Sequence, residues 1–274
     1  MAGSDPPQVP ESLQRLWGVS SVVARGARPA LSVDRIVAAA IELADEHGLA
    51  AVSMGRVAEH LGVSTMALYR HVASKDELLT LMVDGAAGPP PELPLDAGWR
   101  TATDVWARAL ALRTRGWVVE VPISGPPLGP NSVAWMEAGL QALRDSGLGP
   151  LERVAVVTTL SGYVRQHTAL LQDMHTRSGG RAQHEIEFEW RRTLANLVDP
   201  ERFPEVSAVL AMADLAADPG TPADGADAAD SPDPADDPDF DFGLACILEG
   251  VARLAERERD ETVDPTHTRI TDDR

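Results

Sequence analysis

Between Ser64 and Lys75 the chain carries Thr65, Met66, Ala67, Tyr69, Arg70 and His71 in one short run. On a helix opening at Ser64, the residues Thr65, Met66 and Ala67 fall in the first turn and Arg70 one turn later. A threonine hydroxyl donates or accepts, methionine and alanine pack against a thymine methyl, and a guanidinium holds a guanine edge bidentately. These are side-chain types that read base-pair edges in a major groove. Leu68 and Val72, four apart, supply the apolar face that would hold such a helix to a core. Thr65 is equally an ordinary solvent-facing residue, and Arg70 has a phosphate open to it as well as a base.

The surrounding sequence supplies elements to position that run. Ser32 is placed to cap a helix with Ile36, Val37, Ala40, Ile41 and Ala44 on one face, and Gly48 ends it. Ser53 opens a second, short helix with Met54, Val57, Ala58 and Leu61 inward, and Gly62 stops it. Ser64 follows two residues later as the third cap. Ser74, Lys75, Asp76 and Glu77 have capping-box spacing and start a fourth helix carrying Leu78, Leu79, Leu81, Met82 and Val83. A helix, a tight glycine turn and a second short helix, braced by a preceding one, is the helix-turn-helix arrangement.

Three pieces of this stretch stand in register with a known pattern: Val57-Ala58-x-x-Leu61-Gly62-Val63-Ser64, Leu68-Tyr69-x-His71-Val72 and Ser74-Lys75-Asp76-Glu77-Leu78-Leu79. Together they closely resemble the DNA-binding domain of the tetracycline-repressor (TetR) family, over about residues 31–84. The resemblance implies an all-α protein: a three-helix reading domain followed by an antiparallel helical bundle for ligand binding and dimerisation. It implies that Tyr69 and Lys75 contact phosphate, with packing the other role open to Tyr69, and that His71 supports the backbone contact. Lys75 also lies where the free N–H groups of a helix start favour an anion. Ser53 could donate to phosphate, and Arg25 and Arg28 could reach backbone or minor groove as an arm. Gly55 departs from the pattern, because many relatives carry a polar or basic side chain there.

Four regions follow: an arm over 1–30, the reading domain over 31–84, a Pro/Gly linker from Gly85 to Gly98, and helices from Trp99 onward. In the last region helical periodicity marks Thr101 to Arg115, Asn131 to Ser146, Leu151 to about Met174, His184 to Val198 and Phe242 to Glu258. The ligand-binding and dimerisation domain is expected over 99–258, with a flexible tail over 259–274. The helix of 151–174 is apolar on most faces and, with 242–258, would form the interface with a second copy. A ligand pocket is implied by resemblance near Trp106, Trp117, Glu120, Trp135, Met136, Tyr163 and His167. A mostly apolar cavity with few polar points suits an aromatic effector, although each of these side chains is alternatively core. Glu120 falls near a position where tetracycline-binding relatives have a metal-ligating histidine, which argues against magnesium–tetracycline as the effector. His167 and His175 lie on different helix faces, so no shared metal is expected, and no cofactor is implied.

The net charge is −18, which would disfavour DNA if it were evenly spread. Ten of the acidic residues lie between Asp214 and Asp241, without a lysine or arginine among them. That composition predicts a mobile acidic loop over 214–239. The remainder is still acidic, so DNA affinity must come from locally placed cations. Hydrophobic residues make up 44% and no apolar run is long enough to span a bilayer. The single cysteine, Cys246, fits a cytoplasmic protein and reads as a small core residue. The bias toward Ala, Gly, Arg, Asp and Pro is that of a GC-rich genome such as an actinobacterial one. Catalysis finds no support: Walker A, GxGxxG, HExxH and G-x-S-x-G patterns are missing. The expected partners are therefore a double-stranded operator, a small effector and a second copy of the chain, with no membrane. Rival readings are a ligand-independent activator or architectural DNA-binding protein and, more distantly, an enzyme built in the helical domain.

Overall fold

The computed structural model describes residues 9, 11–17, 31–114, 116–123, 125, 127–178, 183–216 and 237–263. Among these the regular structure is helical, in the order α1 (Glu11–Leu16), α2 (Val33–His47), α3 (Met54–His60), α4 (Thr65–Tyr69), α5 (Lys75–Ala87), α6 (Trp99–Thr114), α7 (Pro130–Ala142), α8 (Pro150–Ser178), α9 (Gln183–Leu197), α10 (Pro204–Ala216) and α11 (Pro238–Val263). The all-α expectation is met.

The four serines read as caps all act as caps. Ser32, Ser53, Ser64 and Ser74 each accept, through Oγ, the N–H three residues on, at 3.1–3.3 Å. The reciprocal half of the box at Ser74 lands one residue early, since Glu77 accepts from the Ala73 N–H at 2.5 Å. Between α3 and α4 the Gly62 backbone is left-handed, at φ +67°. The Val63 N–H there bonds the Ala58 carbonyl at 2.9 Å, and the Gly62 N–H the Glu59 carbonyl at 3.0 Å. This pair of bonds closes α3 and turns the chain sharply enough for α4 to start at once.

Two cores result. The first joins α2 to α5 through Ile36, Ala40, Val57, Leu68, Leu78 and Met82. The second joins α6, α7, α8 and α11 through Trp106, Trp135, Leu160, Val164, Phe240 and Leu244. The joint between them is polar and specific. Asp84, buried on α5, accepts the backbone N–H groups of Asn131 and Ser132 at 3.4 and 2.7 Å, so it caps α7 from another helix. A Cβ at Gly129 would collide with Asp84, which explains a glycine there. The 3₁₀ turn Gly116–Glu120 forms the second joint. Its Trp117 is buried in the first core and donates its indole N–H to Asp45 of α2 at 2.6 Å. From the other side Arg165 of α8 donates to the Val118, Val119 and Val121 carbonyls. Burial lowers the Arg165 pKa from its ordinary value.

Several expectations need correction. Part of the expected arm is helical: in α1, Leu13 is buried in the first core and Ser12 donates to Glu77. Residues 214–216 of the expected acidic loop end α10, and 238–239 begin α11, with Asp237 just before it. Helix α10 itself is an element that periodicity did not reveal. Cys246 is exposed on α11 rather than core. Arg25 and Arg28, loop residues 217–236 and tail residues 264–274 lie outside the described residues; within 259–274, α11 runs on to Val263.

Candidate nucleic-acid interface and effector region

The inner side of α4 is closed off completely. Leu68 is 0% exposed, and Val72, held by its N–H to the Leu68 carbonyl at 3.0 Å, is 1% exposed. The outer side is open: Met66 is 69% and Tyr69 45% exposed, Arg70 and Ser64 are exposed, and Thr65 and Ala67 are half-buried. Apolar Met66 and amphipathic Tyr69 standing in water on a five-residue helix have no intrachain packing role that explains them. The helix is shorter than the run Ser64 to Val72 suggests, because His71 and Val72 continue it as a hydrogen-bonded turn.

Groups able to donate to an anion flank this face. Lys75 is exposed in the first turn of α5, where free N–H groups point outward. Ser53 and Ser64 use their oxygens as cap acceptors, which leaves each hydroxyl proton free to donate. His71 is half-buried and has an interaction within the chain. Gly55 is exposed with open space around it, so a side chain is absent where the surface faces outward.

The residues expected around a ligand separate into groups. Trp106 is 1% exposed and donates to the Trp135 carbonyl at 3.0 Å, while Trp135 is buried and donates to the Gly88 carbonyl at 3.0 Å. With Trp117 bonded to Asp45, all three indole N–H groups have protein acceptors. Glu120 is exposed and Met136 half-buried. Tyr163 and His167 sit together on α8 against Phe240 of α11, with ring centroids 5.4–5.9 Å apart. The Tyr163 hydroxyl donates to the Phe240 carbonyl at 2.8 Å, and His167 Nε2 lies 3.1 Å from Asp237.

This cluster contains residues that sequence reading missed. Phe240, near the end of the acidic run from Asp214 to Asp241, is fully buried. Arg108 of α6 lies 5.8 Å from its ring centre and bonds both Asp104, at 2.9 Å, and Asp241, at 2.7 Å. Those carboxylates, Asp104 foremost, raise the Arg108 pKa and keep it charged. Pro238 at the first position of a helix was the available signal that the acidic run ends there.

Burial of the Tyr163 phenol, with Asp237 next in effect, raises its pKa above the ordinary value. The folded chain therefore keeps a proton that the unfolded chain sheds from about pH 10. That contribution to stability is whole below about pH 10 and declines as pH rises through the folded value. Urea midpoints at pH 8 and pH 10.5 should show a smaller alkaline loss in Tyr163→Phe than in the parent. Equal losses would exclude this residue as the origin.

Comparison with known proteins agrees with this architecture. The model for bacterial regulatory proteins of the tetR family matches residues 36–82, and that for the tetracyclin repressor-like C-terminal domain matches residues 91–255. The HTH-type transcriptional repressor DrrR1 of Streptomyces coeruleorubidus is 36% identical over 93% of this chain and 89% of its own. An HTH-type transcriptional regulator of Saccharopolyspora erythraea is 33% identical over 50% of this chain and 59% of its own. ActR of Streptomyces coelicolor in complex with actinorhodin superposes with a TM-score of 0.63 at 26% identity, covering 82% of this chain and 98% of that one. No helix among the described residues is long and apolar enough to cross a membrane. A glycine-turned helix pair with an open outer face, a helical second domain and family matches across both halves lead to one assignment: the chain belongs to the TetR family of bacterial transcription regulators.

Proposed function

We propose that this protein is a cytoplasmic repressor that binds a pseudo-palindromic operator as a homodimer and is released from it by a small aromatic effector. The observation that carries the reading is the two-sidedness of α4: Leu68 and Val72 sealed inside, Met66, Tyr69 and Arg70 outside. Two copies joined through α8 and α11 would present two such helices to successive major grooves, about 34 Å apart. Thr65, Met66, Ala67 and Arg70 read bases, while Ser53, Ser64, Tyr69 and Lys75 hold the backbone, His71 supports them, and Arg28 serves as an arm.

The two contact types separate experimentally. Arg70→Ala should weaken operator binding about 10- to 100-fold and relax preference at one base pair. Lys75→Ala should weaken binding evenly across sequences and flatten the salt dependence by about one unit of log–log slope. Fluorescence anisotropy on operator and on single-base variants reads both. Unchanged affinity in both variants would remove α4 and the start of α5 from the interface.

Release by effector rests on the two joints, Asp84 to α7 and Trp117 to α2, which tie the second domain to the reading helices. ActR, bound to actinorhodin in its structure, makes aromatic polyketides the first molecules to test. A tenfold loss of operator affinity requires an effector that binds the released state tenfold more tightly. A second reading, a regulator that needs no ligand, is favoured by the fully bonded indoles of Trp106, Trp117 and Trp135. Actinorhodin-class compounds that bind this chain yet leave operator affinity unchanged would decide for that second reading.

A further inference from the structure

Away from the aromatic cluster, the end of α7, the turn Arg144–Ser146 and the first turns of α8 form an open groove of about 270 Å³. Its apolar lining comes from Leu140, Pro150 and Val154, and two guanidinium groups, Arg144 and Arg153, border it. Arg153 is half-buried, and its Nε is sealed from solvent with no hydrogen-bond acceptor among the described residues. Neither arginine has an ion pair among the described residues, whereas Arg100 pairs with one carboxylate and Arg108 with two. The nearest carboxylate on the lining, Glu137, accepts from Gln141 at 2.7 Å and so faces along α7.

A guanidinium is a planar fork of donors fitted to a carboxylate. We propose that this groove is a second small-molecule site, distinct from the Tyr163–His167–Phe240 cluster, for a compact aromatic carboxylate. The ring lies on Leu140 and Val154 and the carboxylate accepts from the guanidinium groups of Arg153 and Arg144 that border the groove. The volume lies just under the roughly 300 Å³ at which ligand pockets begin, which favours one or two fused rings over a polyketide. The α7 and α8 helices that form the groove are the same ones that meet Asp84 and the 3₁₀ turn at the joint, so occupancy has a route to the reading domain.

Titration calorimetry of the full-length protein with 2-naphthoate, and with uncharged 2-naphthamide, tests the site. Naphthoate should bind once per chain and naphthamide at least tenfold more weakly. Arg153→Met, which keeps the apolar stem, should weaken naphthoate at least tenfold. Arg144→Met, at an exposed position, should weaken it severalfold. Tyr163→Phe should leave it unchanged. Equal affinity for acid and amide, indifference to both arginine variants, or a loss only in Tyr163→Phe would overturn the proposal. So would a dimer that dissociates in Arg153→Met, because the missing acceptor would then belong to the second copy. Each outcome is independent of whether polyketides release the operator.

Discussion

A Gly162→Glu variant is expected to fold as well as the parent, to sediment as a monomer, and to bind operator at least about 100-fold more weakly. The exposed side of α8 carries Leu151, Ala155, Thr159, Gly162, Gln166 and Leu170, with Leu151 85% and Leu170 52% exposed. Small residues at its middle let a second backbone come close, and the large apolar groups at its ends have no cover within the chain. On α11, Phe242 is 73% and Leu254 50% exposed, which extends the same unsatisfied surface. Open space surrounds the Gly162 Cβ position, so a glutamate fits the single chain without displacing anything. Replacing a mid-helix glycine even helps the helix by a few tenths of a kcal/mol. Two glutamates brought face to face on a symmetric interface do the opposite. A lone reading head loses the second half-site, and the effective concentration that linked heads supply is worth about 10²- to 10⁴-fold. Analytical ultracentrifugation with anisotropy on operator reads both effects. A variant that remains dimeric would refute assembly through α8, and one that is monomeric and binds as tightly as the parent would refute the dimeric reader.

The second large effect concerns the core of the second domain. Trp106→Ala should cost about 4 kcal/mol, lowering Tm on the order of 10 °C. Its indole is 1% exposed, donates to the Trp135 carbonyl, and lies against Gly139, whose Cβ position is 3.0 Å from the ring. Gly139, held on α7 against the ring, has no side chain to fill the space the indole would leave. Trp106→Phe should recover most of the loss, keeping ring packing and forfeiting about 1 kcal/mol for the hydrogen bond. Thermal unfolding of both variants checks this. A Trp106→Ala protein as stable as the parent would mean that the side chain lines an open pocket rather than filling a core.

The reading domain was legible in the sequence because its signals are local. Four serines, each three residues before the N–H it accepts, and Gly62 at a left-handed turn mark helix ends without knowledge of the rest of the fold. Leu68 and Val72 likewise declare an inner face through a four-residue spacing. The second domain was less legible because its decisive contacts are distant in the chain. Trp117 meets Asp45 across 72 positions, and Tyr163 meets Phe240 across 77. A large aromatic side chain looks the same in sequence whether it lines a pocket or fills a core, and only its partners separate the two. Helix α10 escaped because Val206, Val209 and Met212 are exposed, so no buried stripe sets its period. Helix α1 escaped because six residues are too few to show one. The start of α11 was hidden by Asp239 and Asp241 around a buried Phe240.

The most direct measurement is selection of bound fragments from a random DNA pool by the purified full-length protein, followed by footprinting on the enriched site. The account predicts an inverted repeat protected in two patches about one helical turn apart, with Arg70→Met losing preference at one base pair of each half. A single asymmetric patch, or an enriched site whose sequence and affinity are indifferent to changes at Thr65, Tyr69 and Arg70, would contradict it.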